Sequence, residues 1–181
     1  QILRLAEAGV FNGIAITRIE TGFVAQTQRH TNRKIPLSSE QLKLVKNIPG
    51  EFNSIKHRRG LLSMARYDDP NSGDTSFSFM LGNAEHLDGR YTVFGTVVAG
   101  LDVLTAIEDT GLDETFTPFA DITNEKTTIL KNGNMTQLKL AGAIQPVTPD
   151  PLYQAFFKFF AGLAFLVTVL LPVPIALIYE L

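Results

Sequence analysis

The chain has 181 residues, with 16 Lys and Arg against 18 Asp and Glu, a net charge of −2, and neither Cys nor Trp. That length suits one compact domain with an appendage, and the near-neutral charge argues against nucleic acid as a partner. The missing thiols exclude disulfides, Cys-ligated metals and thiol nucleophiles.

In chain order, Gln1 to Ala8 has helical apolar spacing that Gly9 ends. With no initiating Met and no targeting signal, the chain reads as starting at a processing site or inside a longer gene product. Gly13 to Ile19 is a β-rich run, and Phe23 to Gln26 follows the Thr21-Gly22 turn. Residues 27 to 59 carry two basic clusters, Arg29-His30-Arg33-Lys34 and Lys56-His57-Arg58-Arg59, around the polar stretch Leu37 to Lys46. They read as solvated loops, with docking to an acidic partner as the sharper alternative. Leu61 to Ala65 is a short buried strand, and Tyr67 to Thr75 is dense in turn residues. Ser76 to Leu81 and Tyr91 to Val98 read as strands, with Asp88-Gly89 a tight turn between them. Asp102 to Glu108 is a short helix, and Lys126 to Leu140 is a hairpin about Lys131-Asn132-Gly133. Many short strands and few helices predict an antiparallel barrel or sandwich over residues 1–144.

The tail differs in character. Mean hydropathy over the whole chain is +0.10, and five of the 13 Phe lie between Phe156 and Phe165. Gln145 to Pro151 holds three prolines and reads as an extended stalk. From Phe159 to Tyr179 there is no charge, and 21 residues of helix would reach roughly 31 Å, matching a hydrocarbon core of about 30 Å. Residues 152–181 are therefore expected to form a single membrane-spanning helix with a short tail, bounded by Lys158 and Glu180. A buried core helix is the alternative.

Familiar catalytic motifs are missing. His30, His57 and His86 lack metal-ligand spacing, and Asp68, Asp69 and Asp74 lack that of a calcium loop. There is no phosphate-binding loop, dinucleotide fingerprint or G-x-S-x-G elbow. No cofactor and no metal are expected.

Two segments carry a more specific signal. The first is Ile16-Thr-Arg18-Ile-Glu-Thr-Gly22-Phe23-Val24-Ala-Gln26. The second runs from His57 to Glu108 and contains G-x-L-S-M-A, P-N-S-G, L-D-G-x-Y-x-V-F-G-x-V and G-x-D-V-L in order. Together they resemble the cyclophilin family of peptidyl-prolyl isomerases over roughly residues 1 to 131. The resemblance implies a closed eight-stranded antiparallel barrel capped by helices. Its first two strands have no counterpart here and are expected to precede Gln1. It also implies that Arg18 is the catalytic arginine, donating toward the prolyl nitrogen. Phe23 and Leu87 would floor the proline pocket, and Gln26 would bind the substrate backbone.

The departures from the pattern bear on activity. Val24 stands where the family has a pocket Met, Ser76 where it has a second Gln, and Ser78 where it has a pocket Phe. His86 replaces a frequent Trp, Tyr91 a frequent pocket His, and Ala65-Arg66 the Ala-Asn that pairs with substrate. Gln26 is followed by Thr27-Gln28 in place of Gly-Gly. An eroded pocket beside an apolar tail favours a structural or assembly subunit of a membrane complex, with the bilayer met through residues 159–179. A thylakoid photosystem is the leading location, and the mitochondrial inner membrane and the secretory pathway are alternatives. The competing function is an active isomerase acting on proline-containing loops of nearby proteins, and a third is a proline-motif reader without turnover.

Overall fold

The computed structural model describes residues 1–118, 120–132, 135–146 and 165–171. It is mainly β. Three short helices, α1 (Ile2–Glu7), α2 (Ser39–Leu44) and α3 (Leu101–Glu108), accompany eight strands: β1 (Ile14–Glu20), β2 (Val24–Thr27), β3 (Leu61–Met64), β4 (Phe77–Met80), β5 (Val93–Ala99), β6 (Ala120–Asn132), β7 (Met135–Pro146) and β8 (Phe165–Leu171). Neighbouring strands pair antiparallel in the order β1-β2-β4-β3-β5-β8-β7-β6, and β6 pairs back onto β1 to close the ring.

Alternation within the strands gives the wall two faces. One face points into the barrel, where Ile19, Ala25, Leu62, Phe77, Phe79 and Ile122 join Leu5 and Phe11 from the N-terminus and Leu104 and Ile107 from α3 in one core. Phe77 is its aromatic centre, edge-on to Phe11, Phe79 and Phe94 with centroids 5.6, 5.5 and 5.8 Å away. Each fully buried side chain of this size contributes about 1.5–3 kcal/mol of transfer free energy. The opposite face carries a smaller cluster, Val24, Leu61, Met80, Ala84 and Val93, with Phe23 and Leu87 packed on it.

Local chemistry explains the helices. Helix α1 ends where Gly9 takes a φ of +70°, and α3 starts after Gly100 at φ +87°, with Val103, Leu104 and Ile107 as its buried stripe. Helix α2 was not expected. Its signal is nonetheless in the sequence: Ser38 and Gln41 form a reciprocal capping box, a pattern that satisfies two orphan N–H groups at once.

Expectations for the C-terminal part are revised. In the described residues β7 and β8 fill the ring between β6 and β5. β6 and β7 pair as a hairpin longer than expected, from Ala120↔Pro146 to Asn132↔Met135, so that Lys131 and Asn132 stand in the ladder and not in the turn, and Gln145 and Pro146 of the expected stalk are the end of β7. Residues 165–171 are not helix: β8 pairs with β5 on one edge (Val169↔Val97) and with β7 on the other (Val169↔Leu138). A short apolar run without polar periodicity fits a buried strand as well as a helix. Hydrogen bonds from two open strand edges decide between them. Among the described residues no helix is long and apolar enough to cross a membrane. The remainder of the proposed span, 159–164 and 172–179, and stalk residues 147–151 lie outside the described residues.

Candidate functional site

Four strands assemble the site by register. Arg18 on β1 is paired with Gln26 on β2, Gln26 with Ser78 on β4, and Ser78 with Ser63 on β3. Directly opposed residues share a face, so these four form one row across the wall. Arg18 reaches that face because of an irregularity. Two steps on β1, from Ile16 to Arg18, match one step on β2, from Thr27 to Gln26. The extra residue reverses the alternation, so that Ile16 and Ile19 both point to the core while Arg18 points away from it. Bulges re-aim side chains in this manner beside many functional sites.

The row borders a cavity of about 170 Å³ lined by Arg18, Phe23, Val24, Gln26, Ser63, Met64, Ala65, Arg66, Ser78, Met80, Leu87 and Tyr91. Nine of the eleven residues singled out from the sequence are in this lining. Ser76 is not. It is fully buried and its Oγ donates to the Thr27 carbonyl at 2.6 Å, clasping the end of β2 to the start of β4. A serine where a substrate-facing glutamine was expected thus serves the wall, because its short side chain finds a backbone acceptor before it can reach the cavity. His86 is exposed at the rim, its ring 5.2 Å from that of Phe23. Ser63, Met64 and Met80 were missed as lining residues, since only strand pairing reveals that they are neighbours of Gln26 and Val24.

Arg18 is 43% exposed at the side chain and held from two directions. Its Nη1 donates to Gln26 Oε1 at 3.2 Å and its Nη2 to Glu20 Oε2 at 2.5 Å. A guanidinium has five N–H donors and no acceptor, so three remain free beside the cavity. Phe23 lies under the same group, 5.9 Å from ring centroid to guanidinium carbon.

Beneath the floor runs a buried relay through His57, which lies inside the wall and not in a solvated loop. His57 is only 2% exposed. Its Nδ1 lies 3.0 Å from Asp88 Oδ1 and its Nε2 3.0 Å from Ser63 Oγ. Nδ1 thus faces a carboxylate, which when ionised can only accept, and Nε2 faces a hydroxyl, which can donate or accept. Asp88 also accepts from the His57 backbone N–H, and this bond, the ring bond and Lys56 hold its carboxyl down at about 2. The relay ties the β3 floor to the turn that carries Leu87. On the far side of Phe23, burial tends to raise the Glu108 carboxyl, but Arg59 and the Gly22 N–H outweigh it and leave it below the usual range. Among the described residues no group of three His, Asp or Glu side chains converges as for a metal ion.

A donor-only arginine flanked by an amide, beside a cavity lined by polar and apolar side chains alike, suits a reaction without proton transfer. The model of the cyclophilin type peptidyl-prolyl cis-trans isomerase family matches residues 1–134. The chain belongs to that family. Among cyclophilin relatives, peptidyl-prolyl cis-trans isomerase CYP23 of Arabidopsis thaliana is 47% identical over 110 residues, which are 60% of this chain and 49% of that protein. Peptidyl-prolyl cis-trans isomerase-like 3 of Mus musculus is 34% identical over 132 residues, 72% of this chain and 80% of the mouse protein. The chain thus spans about half the length of the Arabidopsis relative. The cyclophilin fold itself is matched by a Cryptosporidium parvum cyclophilin type isomerase crystallised in the presence of the dipeptide Ala-Pro, with a TM-score of 0.62 at 24% identity, covering 72% of this chain and 83% of that one.

Proposed function

We propose that this chain is a peptidyl-prolyl cis-trans isomerase that turns X-Pro bonds at the cavity beside Arg18. The single observation that carries the reading is the in-register row Arg18–Gln26–Ser78–Ser63, which sets a guanidinium with three free donors against an apolar floor of Phe23, Val24, Met80 and Leu87. Rotation about X-Pro is opposed by amide resonance, a barrier of about 18–20 kcal/mol. A donor aimed at the prolyl nitrogen draws its lone pair out of conjugation and lowers that barrier, with no acid, base or cofactor. Gln26 Oε1 and Glu20 restrain the guanidinium, so little orientation entropy is lost at the moment of rotation.

Ser78 removes one aromatic wall, but the cavity stays bounded by Phe23, Met80, Leu87 and Tyr91. The assembly-subunit role, the thylakoid location and attachment through residues 159–179 draw no support from this geometry, and the isomerase reading requires none of them. The test is exchange spectroscopy by NMR on an Ala-Pro-containing peptide with the whole chain, beside Arg18→Ala. The expected result is acceleration over the uncatalysed rate that falls by about 10²-fold in the variant, the scale for losing one transition-state donor. A folded wild-type protein that accelerates no peptide would defeat the proposal.

A further inference from the structure

Resting on the isomerase reading, the geometry points to Arg66 as a specificity-determining residue, selecting peptides with a carboxylate side chain adjacent to the proline. Arg66 is half-buried in the cavity lining and its guanidinium carbon sits 4.2 Å from the centroid of the Tyr91 ring. Its nitrogens are held by backbone carbonyls alone. Nε and Nη2 donate to the Arg90 carbonyl at 3.3 and 3.1 Å, and Nη1 donates to the carbonyls of Tyr67 and Asp68 at 2.7 and 3.1 Å.

These four bonds and the stacked ring fix the plane of the group without cancelling its charge, because every acceptor is neutral. They occupy four of the five N–H donors, and one on Nη2 is left over. The other charges near the cavity are already matched: Arg18 by Glu20, and Lys56 by Asp88. No Asp or Glu among the described residues forms an ion pair with Arg66; the adjoining Asp68 and Asp69 are exposed, and Asp69 Oδ1 accepts from the Asn71 N–H. Arg90, whose carbonyl accepts from Arg66, is itself exposed and forms no ion pair among the described residues.

The cavity therefore carries a surplus positive field on the side of Arg66, in a partly desolvated setting where charge interactions are stronger than in water. A Glu or Asp side chain supplies both the missing counter-charge and an acceptor for the free N–H. A Lys side chain meets repulsion there. A fixed guanidinium is also better suited to a carboxylate than a mobile ammonium would be.

The experiment measures kcat/KM for peptide pairs differing only in Glu or Lys, placed one or two residues from the proline, each against its own uncatalysed rate. Peptide Kd values come from NMR titration of the same samples. At low salt the Glu peptides are expected to be favoured about fivefold, the upper scale for a partly exposed ion pair. The ratio should fall toward one at about 1 M salt, where screening acts within roughly 3 Å. Arg66→Gln should abolish the preference and Arg66→Lys should retain part of it. Equal rates and equal Kd for the Glu and Lys peptides would overturn the inference, as would a preference that survives in Arg66→Gln. If no peptide is accelerated, the isomerase reading fails, and the Kd ratio still decides the charge preference by itself.

Discussion

His57 and Ser63 should be energetically coupled, and a double-mutant cycle measures it. Both are buried, at 2% and 3% exposure, and share a 3.0 Å bond under the cavity floor. His57→Leu keeps most of the volume but leaves the Ser63 hydroxyl without a partner. A buried polar group so stranded costs about 1–3 kcal/mol, on top of a hydrogen bond worth about 1 kcal/mol. Ser63→Ala strands Nε2 in the same way and should cost about 1–2 kcal/mol. Once one partner is gone, removing the other relieves the stranded group. The double variant should therefore lose about 1–2 kcal/mol less than the sum of the single losses. Urea unfolding followed by circular dichroism supplies the four free energies, with an unchanged slope as the check that only stability moved. Additive losses, with coupling under about 0.3 kcal/mol, would show that the relay is not a bonded unit.

Two other outcomes follow from the same geometry. The Asp88 carboxyl lies at about 2 in the folded chain against an ordinary 3.8. A depressed folded value means that its contribution to stability is complete above about pH 4 and is lost as pH falls toward 2. Wild-type stability should thus decline more steeply than that of Asp88→Asn across this window, and parallel acid-unfolding curves would remove Asp88 from the account. Val169 lies in mid-strand between β5 and β7, where proline is not tolerated because it deletes a ladder donor. Val169→Pro should lower the unfolding free energy by at least about 1–3 kcal/mol, and an unchanged urea midpoint would mean that residues 165–171 do not complete the ring.

Much of the site was legible because its residues sit in two short ordered motifs. Arg18, Phe23, Val24 and Gln26 lie within nine residues of one another, and a hairpin brings so local a group together whatever else the chain does. The Gly9 helix stop was readable for the same reason: it depends on the φ preference of one residue. Ser76 and Ser78 show where this reading ends. Two positions apart, they look alike in sequence. The pairing Gln26↔Ser78 puts one in the cavity, while the Thr27 carbonyl takes the other into the wall.

His57 and the tail mark the same boundary on a larger scale. A histidine among Lys56, Arg58 and Arg59 has the sequence neighbours of a solvated loop, yet Asp88 and Ser63, 31 and 6 residues away, bury and satisfy it. The sequence alone determined that Phe165–Leu171 is apolar, since nothing in it can hydrogen-bond through its side chains except Thr168. Whether it forms helix or strand was decided by what lay beside it. Apolarity is a property of the residues, whereas the partner for each backbone N–H and C=O belongs to the assembled sheet, and β5 and β7 supply it here.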